Sequence, residues 1–234
     1  MKKLIKLEFK KHQLFGYWKG VINANIIVMA FLCFIYFIEK SEGGGEDAFF
    51  SSYDFIFNFI LMMTTAIFLI FGSVVLARLV VEEYKNKTIT LLFTYPLSRK
   101  KLLFAKLIIV SVFIFSAILF SNLLIGGVVY LVDLIFDIIP GDLSAELLRD
   151  SFFLLLINIV TAAAAGLVPL YFGMRKKSVP ATIVSAIILV SILNTFTSNV
   201  LSWTYMVTMI ALAVIGIGIA YLSIRNIEHE DVTL

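Results

Sequence analysis

The sequence predicts an all-α polytopic membrane protein. Six transmembrane helices are expected, with an amphipathic helix before the first and a short helix between the second and third. Three observations predict this. Of 234 residues, 61% are hydrophobic and 15% charged, against roughly 45–50% and about 25% in soluble domains. The apolar residues gather into runs of about the 20 residues that cross a hydrocarbon core of about 30 Å. Finally, 17 of the 19 basic residues fall in segments that the alternation of spans places on one side. Mean hydropathy is +1.01. A soluble domain of this length leaves roughly a third of its surface wet and cannot hide so much apolar area. Four Pro and a single Cys, Cys33, exclude a disordered chain and a disulfide scaffold.

The first 15 residues are basic and lack the compact apolar run of a cleavable signal. At 100° per residue, Lys2, Lys3, Lys6 and Lys10 share one arc and Leu4, Ile5, Phe9, Leu14 and Phe15 the other. That is the pattern of a basic helix lying in the membrane plane. Tyr17 and Trp18 anchor it at the interface before span 1. The spans are expected at Val21–Ile38, Phe55–Val81, Leu102–Val132, Phe152–Phe172, Ala181–Phe196 and Trp203–Ile224. Spans 2 and 3 exceed the minimum and should tilt or project past the lipid. Pro169 kinks or ends span 4. Small residues four apart, Ala162 with Gly166 and Gly216 with Ala220, permit close helix approach in spans 4 and 6.

Basic residues set the orientation. Six precede span 1, seven lie between Arg78 and Lys106, three follow span 4 (Arg175, Lys176 and Lys177) and Arg225 follows span 6. Only Lys40 and Arg149 fall on the other side. The bias places both termini in the cytoplasm. The outer loops, residues 39–54 and 133–150, are short and acidic. They read as solvated connections or as a vestibule for a cationic substrate.

Several chemistries lack their residues. There is no phosphate-binding G-x-x-x-x-G-K-[ST] loop, and no H-E-x-x-H, G-x-S-x-G or C-x-x-C. His12 and His229 have no Cys or carboxylate grouping that suggests a metal site. No span Ser or Thr has a His to activate it, and the basic residues follow the membrane side rather than a nucleic-acid patch. No catalytic or metal-binding residue is therefore assigned. Polar residues inside the spans include Asn58, Thr64, Thr65, Asn122 and Asn158. They either hydrogen-bond helix to helix or line a substrate path.

The connection between spans 2 and 3 carries the most information. Glu82 and Glu83 end a helix that projects from lipid, and Asn86 suits a turn. Thr88 caps a short helix with Ile89, Leu92 and Phe93 on one side. Pro96 stops it. Ser98 caps span 3, and Arg99, Lys100 and Lys101 hold that helix at the headgroups. A short cytoplasmic helix with exposed Leu and Phe suggests a partner groove.

From Glu82 to Arg99 the pattern is E-E-Y-x-N-x-T-I-x-L-L-x-x-x-P-x-S-R, followed by Lys106. It resembles the permease subunits of ABC-2-type ABC transporters. The basic N-terminus, six spans, small outer loops and length extend the likeness over the whole chain, residues 1–234, as one permease domain. Lys87 stands where the family usually has Gly. The small permeases of bacitracin, lantibiotic and other antimicrobial-peptide exporters are of this kind. The resemblance implies a coupling-helix loop at residues 82–98 and an elbow helix at residues 1–20. Glu82, Glu83, Tyr84, Thr88, Ile89, Leu92, Phe93 and Pro96 then face an ATPase, and Lys2, Lys3, Lys6, Lys10, Arg99, Lys100 and Lys101 face the membrane surface. It also implies two separate ATPase subunits that bind ATP and Mg, none being bound by this chain, and a second permease, identical or similar. The amphipathic or lipid-like substrate would pass between the permeases in a bacterial cell membrane. A secondary transporter or channel, and a non-transporting immunity or scaffold protein, are the alternatives.

Overall fold

A computed structural model describes residues 15–42, 50, 52–85, 99–140, 143–195 and 203–226. The helices are α1 Phe15–Glu42, α2 Tyr53–Leu76, α3 Arg99–Phe136, α4 Ala145–Ala165, α5 Pro169–Lys176, α6 Val179–Thr195 and α7 Trp203–Asn226. α2 continues through a π-helical turn, Ala77–Val81, into a last α-helical turn, Glu82–Lys85. No strand occurs among the described residues.

Among the described residues, five segments are long and apolar enough to cross a membrane: Gly16–Ser41, Tyr53–Val81, Lys100–Phe136, Ala145–Lys176 and Val207–Arg225. The fifth expected span coincides with α6, whose apolar stretch Val179–Leu193 is shorter than these. At 1.5 Å per residue, the 17 residues of α6 reach only about 25 Å.

Helix ends differ from the sequence expectation where caps decide them. α4 starts at Ala145, seven residues before the expected Phe152, because the Ser144 hydroxyl accepts the Leu147 N–H at 3.2 Å and Glu146 suits the first turn. α3 runs on to Phe136 and ends with Asp137 in the left-handed region, φ 49°. The loop expected over residues 133–150 is therefore mostly helical at both ends. α4 stops at Ala165, and Pro169 opens α5 at a first-turn position, where its missing N–H leaves no bond unmade. Residues 15–20, read as the end of the elbow segment, run unbroken into α1.

α2, α3 and α4 form the centre. Phe68, Leu69, Leu76, Ile114, Ile118 and Ile159 are fully buried there. Ile114 fills a socket that only glycine leaves open. A β-carbon on Gly72 would stand 2.5 Å from its side chain, and one on Gly166 would stand 2.4 Å away. α7 lies against α4 backbone to backbone, with Gly216 facing the Ala164 carbonyl. α1 joins through aromatic rings. Tyr17 packs on Phe71 and Phe113 at centroid distances of 6.1 and 6.4 Å, and Trp18 meets Phe120 edge-on at 5.8 Å. The Arg78 guanidinium lies 5.9 Å from the Tyr17 ring. The outward faces of α1 and α7 carry exposed Ile26, Phe34, Phe37, Val214, Ile217 and Tyr221. Apolar surface this continuous suits lipid rather than water.

Candidate functional site

The α2–α3 pair is tied by polar contacts at three levels. At the end away from the basic segments, the Asp133 carboxylate accepts the Ile138 and Ile139 N–H groups at 2.9 and 2.7 Å. It also accepts the Tyr53 hydroxyl from the first turn of α2. One carboxylate thus closes the C-terminus of α3 and fixes the start of α2 beside it. Hydrogen bonds to a charged acceptor contribute about 1.5–3 kcal/mol.

Midway, Thr64 and Thr65 are consecutive on α2, so their side chains leave the helix about 100° apart and reach different neighbours. The Asn122 amide of α3 donates to Thr64 Oγ1 at 2.8 Å and to the Ile118 carbonyl at 2.9 Å. Thr65 Oγ1 donates to Asn158 Oδ1 of α4 at 2.8 Å. Four of the five polar span residues singled out in the sequence therefore form two adjacent hydrogen-bonded pairs that together link three helices. Thr64, Thr65 and Asn158 are buried. Asn58 stands apart from the bonds, yet with Asn122 it lines a cleft of about 430 Å³. Gly126, Gly127 and Tyr130 of α3 and Ser151 of α4 complete the part of the wall that matters chemically. The rest is apolar, from Phe57 and Leu61 to Phe152 and Leu155.

At the basic end, Lys106 of α3 reaches across to α2. Its ammonium donates to the Leu79 carbonyl at 2.8 Å and to the Glu83 carboxylate. Both partners are buried, with 3% and 9% of their side chains exposed. The Leu79 carbonyl belongs to the π-helical turn, where the Glu82 N–H bonds back to the Ala77 carbonyl five residues earlier. Such turns widen a helix locally and recur at functional sites. The ammonium thus braces the turn from which residues 82–85 depart.

Of the residues assigned to ATPase coupling, Glu82 is exposed and Glu83 buried in this contact. Tyr84 lies in the last turn of the helix. Thr88, Ile89, Leu92, Phe93 and Pro96 lie outside the described residues, as do Lys2, Lys3, Lys6 and Lys10. Arg99, Lys100 and Lys101 form the first turn of α3, with Lys101 exposed. Sequence reasoning counted Lys106 as a topogenic charge and as the last residue of the family-like pattern, and gave it no partner. The signal was present, since Lys106 lies seven residues, two helical turns, beyond Arg99. Asn25, buried in α1 with its amide donating to the Val21 carbonyl at 2.8 Å, was passed over too. No group of three or more metal-ligating side chains occurs among the described residues.

Comparison with known proteins agrees with this architecture. Residues 4–194 match the family described as ABC-2 family transporter protein. A relative from Bacillus subtilis (strain 168), printed as "Uncharacterized protein YcbO", is 38% identical over 228 residues, which cover 97% of this chain and 99% of the relative. No solved structure matches the chain. The family match spans most of the chain and the relative is collinear with nearly all of it, so this protein belongs to the ABC-2 family as a multi-pass membrane subunit of an ABC transporter.

Proposed function

We propose that the chain is the permease of a bacterial ABC exporter for an amphipathic or lipid-like substrate, such as an antimicrobial peptide. It spans the cell membrane six times, with α6 as the fifth and shortest crossing and both termini in the cytoplasm. It pairs with a second permease, identical or similar, and with two ATPase subunits that carry ATP and Mg. The observation that carries the reading is the braced end of the α2–α3 pair. A buried charge pair and a π-helical turn fix the point where the chain leaves α2 for residues 86–98, the segment that resembles a coupling helix. A brace there suits a segment through which force passes. A plain connection between two spans has no use for a buried ion pair, which costs several kcal/mol per ion to desolvate.

Closure of the ATPase pair would press on residues 82–98 and shift α2 and α3 as a unit, because the three polar ties resist their sliding. Ion-coupled transport draws on an ionisable group near mid-membrane. The described polar cluster, made of Thr64, Thr65, Asn122 and Asn158, offers only amides and hydroxyls.

Purified alone, the chain should bind no ATP saturably, since no phosphate-binding loop is present. Expressed with its ATPase, it should retrieve that subunit and support ATP-dependent transport in vesicles. Saturable ATP binding by the lone chain would contradict the assignment, and ATP-independent transport would favour a secondary carrier.

Orientation has its own test. In a Cys33→Ser background, a Gly44→Cys variant should label with an impermeant thiol reagent in intact cells. Labelling seen only after lysis would invert the topology.

A further inference from the structure

We propose that the cleft between α2, α3 and the start of α4 is a binding site for an uncharged single-chain amphiphile, a hydrocarbon chain headed by an ester or amide. This deepens the transport reading and rests on it, by taking its lipid-like alternative over a peptide and naming the class of substrate that the site accepts.

The size and lining carry the first step. About 430 Å³ lies within the range of small-molecule sites. It takes one chain or a side chain or two, and is far too small for a folded peptide. Phe57, Leu61, Leu123, Phe152 and Leu155 give the hydrocarbon its surface.

The polar groups carry the second. Among the described residues the lining contains no Asp, Glu, Lys, Arg or His to compensate a charged head. It does contain the Asn58 amide and the Tyr130 and Ser151 hydroxyls, none of which has a hydrogen-bond partner among the described residues. Asn122 spends its N–H groups on Thr64 and Ile118 and keeps its amide oxygen as an acceptor. Within a bilayer an unpaired amide costs several kcal/mol. Donors from Asn58, Tyr130 and Ser151 suit a carbonyl oxygen, and the amide oxygens suit a hydroxyl or N–H.

The third step is the missing wall. Gly127 lines the cleft, and a β-carbon there would meet no atom within 4 Å. A large side chain at this position would therefore have room to extend into the cleft. Glycine is a poorer helix former than Ala, so its place in mid-helix calls for a reason.

The test uses the permease with its ATPase in phosphatidylcholine nanodiscs and a diazirine-bearing monoacylglycerol as the photoprobe. Saturable labelling of α2, α3 or α4 is expected. Unlabelled monoacylglycerol should compete, and a fatty acid anion or an alkyltrimethylammonium of equal chain length should compete at least about tenfold less well. Gly127→Leu should abolish labelling while leaving elution and thermal midpoint unchanged. Should that variant fail to fold, Asn58→Ala must lower labelling instead. ATP with Mg should empty the site. Equal competition by charged chains, or labelling that survives both variants, would overturn the site. Labelling insensitive to ATP in a complex that hydrolyses it would make the occupant a resident lipid and overturn the substrate assignment. Failure of the transport reading looks different, since then no ATPase co-purifies whatever the probe does.

Discussion

Glu83→Ala leaves the permease inserted and bound to its ATPase but lowers its stability and abolishes substrate-stimulated turnover. The variant takes the Glu83 carboxylate from the Lys106 ammonium in a site where only 3% of the lysine side chain is exposed. Breaking a buried pair from one side costs about 3–5 kcal/mol. Lys106→Ala should cost a similar amount by taking the ammonium from Glu83, and it also removes the donor to the Leu79 carbonyl. Reversal of both, Glu83→Lys with Lys106→Glu, restores the pair and should recover part of the loss. It will not recover all of it, because a glutamate at 106 cannot donate to that carbonyl. Thermal unfolding and ATPase rates of the four complexes read this cycle. Single variants as stable and as well coupled as the wild type would show that the brace carries nothing.

Gly216→Ala separates α7 from α4. Its new β-carbon would stand 2.1 Å from the Ala164 carbonyl oxygen and 2.9 Å from the carbonyl carbon. Backbone cannot step aside as a flexible side chain does, so the helices must move apart. Overpacking of this kind costs about 1–3 kcal/mol. Gly218→Ala on the same helix is the matched control, since a β-carbon there meets nothing within 4 Å. It should be neutral or slightly stabilising. Unfolding midpoints that fall for Gly216 and hold for Gly218 would confirm the close helix contact. Equal behaviour of the two would refute it.

The apolar runs place five of the six expected spans because lipid demands about 20 apolar residues whatever the neighbours do. Small residues at 162, 166 and 216 mark where helices approach, for the same local reason. Their partners are not legible, however. Gly166 receives Ile114 from α3 rather than another small residue, and Gly216 meets Ala164. The Tyr53–Asp133 and Glu83–Lys106 contacts join residues 80 and 23 positions apart. Composition and periodicity say nothing of such pairings. The π-helical turn at Ala77–Val81 has no sequence signature either, since its residues read as an ordinary apolar helix end. The start of α4 was legible from Ser144 and Glu146, but the acidic outer segment masked it.

The central claim is that residues 82–98 join this membrane subunit to an ATPase. Leu92 and Phe93, if seated in a groove, would contribute about 1.5–3 kcal/mol each. Losing both would weaken assembly by about a hundredfold or more. The direct measurement is co-purification of the ATPase with Leu92→Asp/Phe93→Asp, alongside ATP-dependent transport in vesicles. The account predicts normal membrane insertion with loss of both the ATPase and transport. A double variant that retains its ATPase and transports at the wild-type rate would contradict it.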